Sequence, residues 1–218
     1  MCKKITTKGI NILRSAHVWN LLEHPQNLGD NEKMNTSDLD TEKKILYAGK
    51  HLLFMQRNGW EFVERTKASG IVVVAALTKH NGVVLVSQRR EPVQSRVIEL
   101  PAGLAGDEAG KEGELLEEAA RRELWEETGF TGDVFEPIIE GPPGAGVSSE
   151  YVSFYRVRGA VRMARGGGGA GEDIRVHVIP LKRLEDWLSR CRELGAMIDP
   201  KVYVGVYFLQ HLSAPRKI

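Results

Sequence analysis

The sequence predicts an α/β fold with a mixed sheet, preceded by an antiparallel β-hairpin. Three observations lead there. Short runs rich in valine and isoleucine recur from Lys44 to Leu181 with turn residues between them, one amphipathic helical segment interrupts them, and two more helical segments follow near the C-terminus. No internal repeat is present.

Taken in order, KILYAGKHLLFMQRNGWEFVERTK holds two extended segments around Asn58-Gly59, a dipeptide favoured in tight hairpins. Ala68 to Leu77 and Gly82 to Gln88 are apolar runs separated by Lys79, His80, Asn81 and Gly82, which reads as strand, turn, strand. Val97 to Leu100 is a short strand stopped by Pro101. Leu115 to Thr128 is the clearest helix: Leu115, Leu116, Ala119, Ala120, Leu124 and Trp125 form an apolar stripe, and Gly129 supplies a C-terminal stop. Strands follow at Asp133 to Ile139 and Tyr151 to Arg158, then the glycine tract Gly166 to Gly171, then the alternating strand IRVHVIPL. Leu181 to Leu194, starting helically at Arg183, and Tyr203 to Leu212 close the pattern as helices.

Composition limits the classes of function. Hydrophobic residues at 42% and charged residues at 27% of 218 suit one soluble globular domain and exclude collagen-like, mucin-like and wholly disordered chains. A formal charge of +1 gives no overall field toward nucleic acid or an anionic membrane. Cys2 and Cys191 cannot build a multi-bridge disulfide framework, and the apolar run Gly70 to Leu77 falls far short of the roughly 20 residues that span a bilayer. The expectation is a cytoplasmic protein with no membrane or nucleic-acid partner. Residues 1–42 read as a dispensable extension with scattered apolar groups (Ile10, Leu13, Val18, Trp19, Leu22), and the functional chain is expected to begin near Met34. Residues 43–66 form an N-terminal β subdomain, 67–212 the main domain and 213–218 a tail.

The chemistry concentrates between Pro101 and Phe130. Glu123, Glu126 and Glu127 stand at i, i+3 and i+4, on one helix face. Like charges at these spacings destabilise a helix unless a cation sits among them, and hard divalent ions take oxygen ligands of this kind. Taken alone, the cluster reads more readily as a solvated acidic face. Glu114 lies eight residues before Arg122, and Thr128-Gly129-Phe130 close the helix, giving E-x₇-R-E-L-W-E-E-T-G-F. This resembles the signature of the Nudix hydrolases, G-x₅-E-x₇-R-E-U-x-E-E-x-G-U with U apolar. One departure stands out: if Gly103 is the first glycine, ten residues separate it from Glu114 where the family has five, and strict spacing would put glycine where Glu108 stands. An insertion in a loop costs little closure entropy, so the helical glutamates are expected to keep their arrangement.

The resemblance implies a Nudix-type α/β/α sandwich and diphosphate hydrolysis with Mg²⁺, Mn²⁺ being the alternative. It makes Glu123, Glu127 and the Ala102 carbonyl metal ligands, gives Glu126 a share in the metals and in catalysis, and makes Glu114 and Arg122 a structural salt bridge. No Ser-His-Asp or Cys-His set is evident to supply a covalent nucleophile.

From about Lys43 to Leu212 the order of segments is similar to the ADP-ribose pyrophosphatase branch, with R-x-P-(x₅)-I-E-L-P-A-G as a second resemblance. It implies that Arg90 contacts the diphosphate, that Trp60, Glu61 and Arg65 recognise adenine, that Ser148, Ser149 and Glu150 reach the terminal ribose, and that Glu172 is the base or water-positioning group. The bland alternatives are a surface arginine at 90, Trp60 packed under the hairpin, Arg65 paired with a carboxylate, and an exposed loop acid at 172. The glycine tract lacks the Lys-Ser/Thr of a P-loop and reads as a flexible tether, Trp125 and Trp187 as packing groups, and His177 as a core or solvent-facing residue. The branch also implies a homodimer with exchanged N-terminal strands and a small nucleotide substrate. Other nucleotide sugars, dinucleotides or nucleoside triphosphates, and a non-catalytic nucleotide-binding module, are the rival readings.

Overall fold

Strand β4 (Gly70–Thr78) organises the molecule because its side chains alternate between two cores. Val72, Val74 and Ala76 face one cluster with Ala119, Ala120, Leu124 and Phe130, while Val73, Ala75 and Leu77 face another with Leu100, Leu184, Leu188, Val202 and Leu209. A strand buried on both faces needs helices on both, which is why GIVVVAALT reads as an unbroken apolar run. The computed structural model describes residues 42–168 and 173–211, and residues from Lys43 onward belong to one compact unit.

The first sheet is β1 (Lys44–Ala48), β2 (Leu52–Arg57) and β3 (Trp60–Arg65), all antiparallel. The expected hairpin is therefore three-stranded: Gly49 N–H bonds back to Leu52 O at 2.8 Å, closing a turn that splits the first extended segment. In the main sheet β4 runs parallel to β10 (Val152–Arg162) and antiparallel to β7 (Ala102–Ala105), and it pairs antiparallel with β5 (Gly82–Arg90) at Leu77 and Val83. Strand β5 is antiparallel to β6 (Ser95–Glu99) and to β11 (Arg175–Pro180), β9 (Glu136–Gly141) and β8 (Phe130–Thr131) flank β10, and β12 (Met197–Ile198) extends β6 in parallel. The two-residue and four-residue strands β7, β8 and β12 have no sequence pattern long enough to show a period.

Helix α1 (Leu116–Thr128) packs on one face, and α2 (Leu184–Glu193) and α3 (Pro200–His211) on the other, giving the α/β/α sandwich. Helix α2 follows a 3₁₀ turn, Leu181–Arg183, and begins one residue later than expected. Helix α3 begins three residues earlier than Tyr203, because Pro200 is preorganised for a first helical turn and Asp199 Oδ1 accepts the Lys201 N–H at 2.8 Å. Its expected last residue, Leu212, lies outside the described residues. Two residues of the α1 stripe do not face the core: Leu115 precedes the helix, and Trp125 is 43% exposed on its outer side.

The glycine tract differs from a tether over its described part. Gly167 N–H donates to Glu127 O at 2.8 Å and Gly168 N–H to Glu126 O at 3.0 Å, which satisfies carbonyls at the end of α1. The approach is backbone to backbone: a Cβ on Gly166 would lie 2.2 Å from the Thr128 carbonyl carbon, and one on Gly129 2.2 Å from Ala164 O. Glycine is needed there for closeness, not for looseness. Gly169, Ala170 and Gly171 lie outside the described residues.

Candidate active site

Helix α1 and strand β7 create the site together, because Arg122 holds them in one register. Its Nε and Nη2 donate to Glu114 Oε1 and Oε2 at 2.9 and 3.0 Å, and Nη2 also donates to Leu104 O at 2.9 Å. The bond from Arg122 holds Glu114 below the usual carboxylate range, against the opposing effect of burial. The remaining nitrogen, Nη1, lies 2.8 Å from Glu123 Oε1 and 3.2 Å from Glu126 Oε2.

Glu123 and Glu127 occupy adjacent turns on the inner face of α1. Glu127 is 6% exposed, and its Oε2 accepts the Ala102 N–H at 3.0 Å. Burial pushes its carboxyl up to about 8 against that bond, and Glu123 and Glu99 add to the rise. Burial likewise raises Glu123, with Arg122 opposing. The Glu123 carboxylate rests on Gly103, where an added Cβ would lie 2.0 Å from its carboxyl carbon, so any side chain at 103 would have to displace it. Two carboxylates this buried, whose proton affinity stays raised despite the neighbouring Arg122, suit a hard divalent cation, as does an all-oxygen donor set. Among the described residues no three such ligand groups already surround one point, since Arg122 draws in Glu123 and Glu126 while Ala102 holds Glu127.

These groups form one wall of a cleft of about 720 Å³. Arg90, Glu99, Gln88 and Lys201 line it from β5, β6 and α3, and Arg65 and Glu150 from β3 and the segment before β10. Arg90 Nη2 lies 2.9 Å from Glu99 Oε2, which keeps a guanidinium at the cleft while its side chain stays 45% exposed. Arg65 Nε lies 2.6 Å from Glu150 Oε1, an ion pair whose geometry aligns no hydrogen bond. A separate apolar hollow of about 390 Å³ around Gly82, Phe130 and Val178 involves none of these carboxylates.

The NUDIX domain matches residues 66–186. The chain belongs to the Nudix family. This Nudix hydrolase is 32% identical over 203 residues to an ADP-sugar pyrophosphatase of Mus musculus, covering 81% of this chain and 89% of that one. It is 31% identical over 147 residues to a methanol dehydrogenase activator of Bacillus methanolicus, covering 67% and 75%. An ADP-ribose pyrophosphatase of Bacillus subtilis (strain 168) is 34% identical over 92 residues, which covers 42% of this chain and 47% of that one. Among solved structures, an ADP compounds hydrolase superposes with a TM-score of 0.57 at 16% identity, over 78% of this chain and 90% of that one, a likeness of fold.

Several residues singled out from sequence meet at this Nudix cleft: Ala102, Glu123, Glu126, Glu127, Arg122, Arg90, Arg65 and Glu150. Trp60, Glu61 and Ser149 do not line it. Trp60 is 65% exposed and donates from Nε1 to Gly146 O at 3.2 Å, so it does not pack under the hairpin, and Ser149 Oγ donates to Glu64 Oε2 at 3.4 Å. Strand β3 nevertheless staples this loop, through Val63 N–H to Val147 O at 2.8 Å and Ser149 N–H to Val63 O at 3.1 Å. Glu172 lies outside the described residues, while Gly168 before it lines the cleft. Sequence reasoning missed Lys201, Glu99, Asp107 and Glu108 at the cleft. Glu99 stood inside the quoted I-E-L-P-A-G run, whereas Lys201 is delivered by a helix about a hundred residues further on and carried no signal.

Proposed function

We propose that this Nudix hydrolase cleaves the diphosphate of ADP-ribose or a related nucleoside diphosphate sugar, releasing AMP, or the matching nucleoside monophosphate, and a sugar phosphate. The observation that carries the reading is one cleft lined both by the carboxylates of α1 and by Arg90 and Lys201. Acidic groups for a cation and basic groups for phosphate oxygens in one space suit a diphosphate better than a neutral ester. The names of the mouse and Bacillus subtilis relatives support the substrate class.

Glu123, Glu126 and Glu127, with the Ala102 carbonyl, would hold a divalent cation, Mg²⁺ or alternatively Mn²⁺, which supplies charge neutralisation at the phosphate oxygens and lowers the pKa of water. Arg90 grips the diphosphate with a guanidinium already oriented by Glu99. Glu172 is the base or the group that positions the attacking water. Arg65 belongs with Trp60 and Glu61 to the base-recognition segment, and Glu150 with Ser149 meets the terminal ribose. The Arg122–Glu114 bridge fixes the loop against the helix.

Trp60 and Glu61 complete the adenine site of a second copy in this reading, through exchanged N-terminal strands. Ile45, Tyr47, Leu52 and Trp60 are exposed on the three-stranded sheet, and this much uncovered apolar side chain on one small sheet supports a homodimer. No helix among the described residues is long and apolar enough to cross a membrane, which is consistent with the cytoplasm as its place of work.

Incubation with ADP-ribose and Mg²⁺, with and without chelator, beside GDP-mannose, diadenosine polyphosphates and nucleoside triphosphates, tests the proposal. AMP and ribose 5-phosphate should form fastest from ADP-ribose and only with metal. Faster cleavage of another substrate would replace the substrate assignment, and no cleavage of any would favour a binding module.

A further inference from the structure

The insertion between Gly103 and Glu114 is folded onto Arg122. Lys111 N–H bonds to Glu108 O at 3.0 Å and Glu114 N–H to Lys111 O at 2.8 Å, two successive turns that double the loop back toward α1. Glu108 emerges with its carboxylate between two cations: Oε2 lies 2.7 Å from Lys111 Nζ, and Oε1 lies 3.5 Å from Arg122 Nη1. Glu108 and Asp107 both line the cleft.

The bonds of Arg122 divide into a fixed set and a shared one. Nε and Nη2 are committed to Glu114 and the Leu104 carbonyl, groups that no cation needs. Nη1 instead shares Glu123 and Glu126, two of the carboxylates assigned to the metal. A cation that takes those oxygens withdraws the acceptors of Nη1. The side chain of Arg122 is only 13% exposed, so water can replace them poorly. Glu108 Oε1 is the remaining carboxylate oxygen beside Nη1, already oriented by Lys111.

We propose that Glu108 is a positioning residue that receives Arg122 Nη1 when a divalent cation takes Glu123 and Glu126. The inference rests on the metal reading given above. It gives the insertion a role: at the position where strict spacing would have glycine, this chain carries an acceptor that makes release of the metal ligands less costly. Glu108 touches neither substrate nor cation in this account and acts through Arg122.

The test is the Mn²⁺ dependence of thermal unfolding and calorimetric binding in the full chain without substrate. In Glu108→Gln the half-saturating Mn²⁺ concentration should rise about fivefold, the scale of one partly exposed charge pair. The melting temperature in chelator should stay at that of the parent, and Glu108→Asp should recover part of the affinity. Glu112→Gln in the same loop should leave both unchanged. A general attraction of the cation to negative charge would make Asp107→Asn weaken binding as much as Glu108→Gln, and that result overturns the proposal. In an Arg122→Lys background, which keeps the charge but loses the fork, the Glu108→Gln effect should vanish, and its persistence also overturns the proposal. Unchanged Mn²⁺ affinity in a folded Glu108→Gln protein removes the role of Glu108 alone. A parent protein that binds no Mn²⁺ removes the metal reading and this inference together.

Discussion

The carboxylate of Glu123 lies against the Cα of Gly103, so close that a single methyl there would fall 2.0 Å from its carboxyl carbon. The obstructed group is the far end of a flexible side chain and not backbone. Gly103→Ala should therefore fold, with a melting temperature within a few degrees of the parent, but push Glu123 out of its cradle. Turnover should drop about a hundredfold, the scale associated with misplacing a catalytic group by about an ångström. Circular dichroism and initial rates at saturating metal check this, and near-parent turnover would remove the importance of the cradle.

Glu127 is ionised at a cost in the absence of metal, since burial raises its carboxyl to about 8. Glu127→Gln retains an oxygen for the Ala102 N–H and removes the group that must ionise to hold the cation. The variant should melt no lower than the parent in chelator, lose the stabilisation that Mg²⁺ gives the parent, and turn over at least about a hundredfold more slowly. A folded variant with near-normal turnover would sink the metal assignment.

Gly166 touches the end of α1 through main-chain atoms. Gly166→Ala places a Cβ 2.2 Å from the Thr128 carbonyl carbon at a backbone φ of +70°, so the strand of glycines must lift away. A loss of stability of about 1–3 kcal/mol is expected, read by chemical denaturation, together with faster amide exchange at Gly167 and Gly168. Unchanged exchange at those two amides would show that the contact does not hold the tract.

His177 bonds Ser87 Oγ at 2.9 Å and stacks at a tilt on Trp187. Burial first, then Arg96 and Arg175, lowers its proton affinity below the usual histidine value. The folded state thus favours the neutral ring: its contribution is fully present above pH about 6.5 and is lost as the pH falls through the lowered folded value. His177→Gln, which has nothing to protonate in this range, should show a shallower fall of melting temperature between pH 7 and 5. Equal slopes in the two proteins would exclude His177 as a source of acid sensitivity.

The helix α1 and its glutamates were legible in the sequence because both depend on spacing within one element. Arg90 and Arg65 were readable for a different reason, a resemblance over adjoining segments, and the structure brings both to the cleft. Lys201 was not readable, since it is long-range contacts, the pairing of β12 with β6 and the Asp199 N–H bond to Ile98 O, that carry the start of α3 to this place. The glycine tract misled because composition reports conformational freedom but not contact, and the contact here is with carbonyls that belong to another element. The three-stranded sheet was missed for want of a turn signature as strong as Asn58-Gly59 between Ala48 and Leu52.

The N–H groups of Gly167 and Gly168 also have an electrostatic meaning for α1. Peptide dipoles leave about half a negative charge at a helix C-terminus, and this helix already gathers three glutamates into its last two turns. By donating to the Glu126 and Glu127 carbonyls, the glycines screen the macrodipole where it would repel those carboxylates most. In the proposed metal site the pull of α1 on a cation then comes more from its side chains, which substitution can tune, than from its helix dipole, which it cannot.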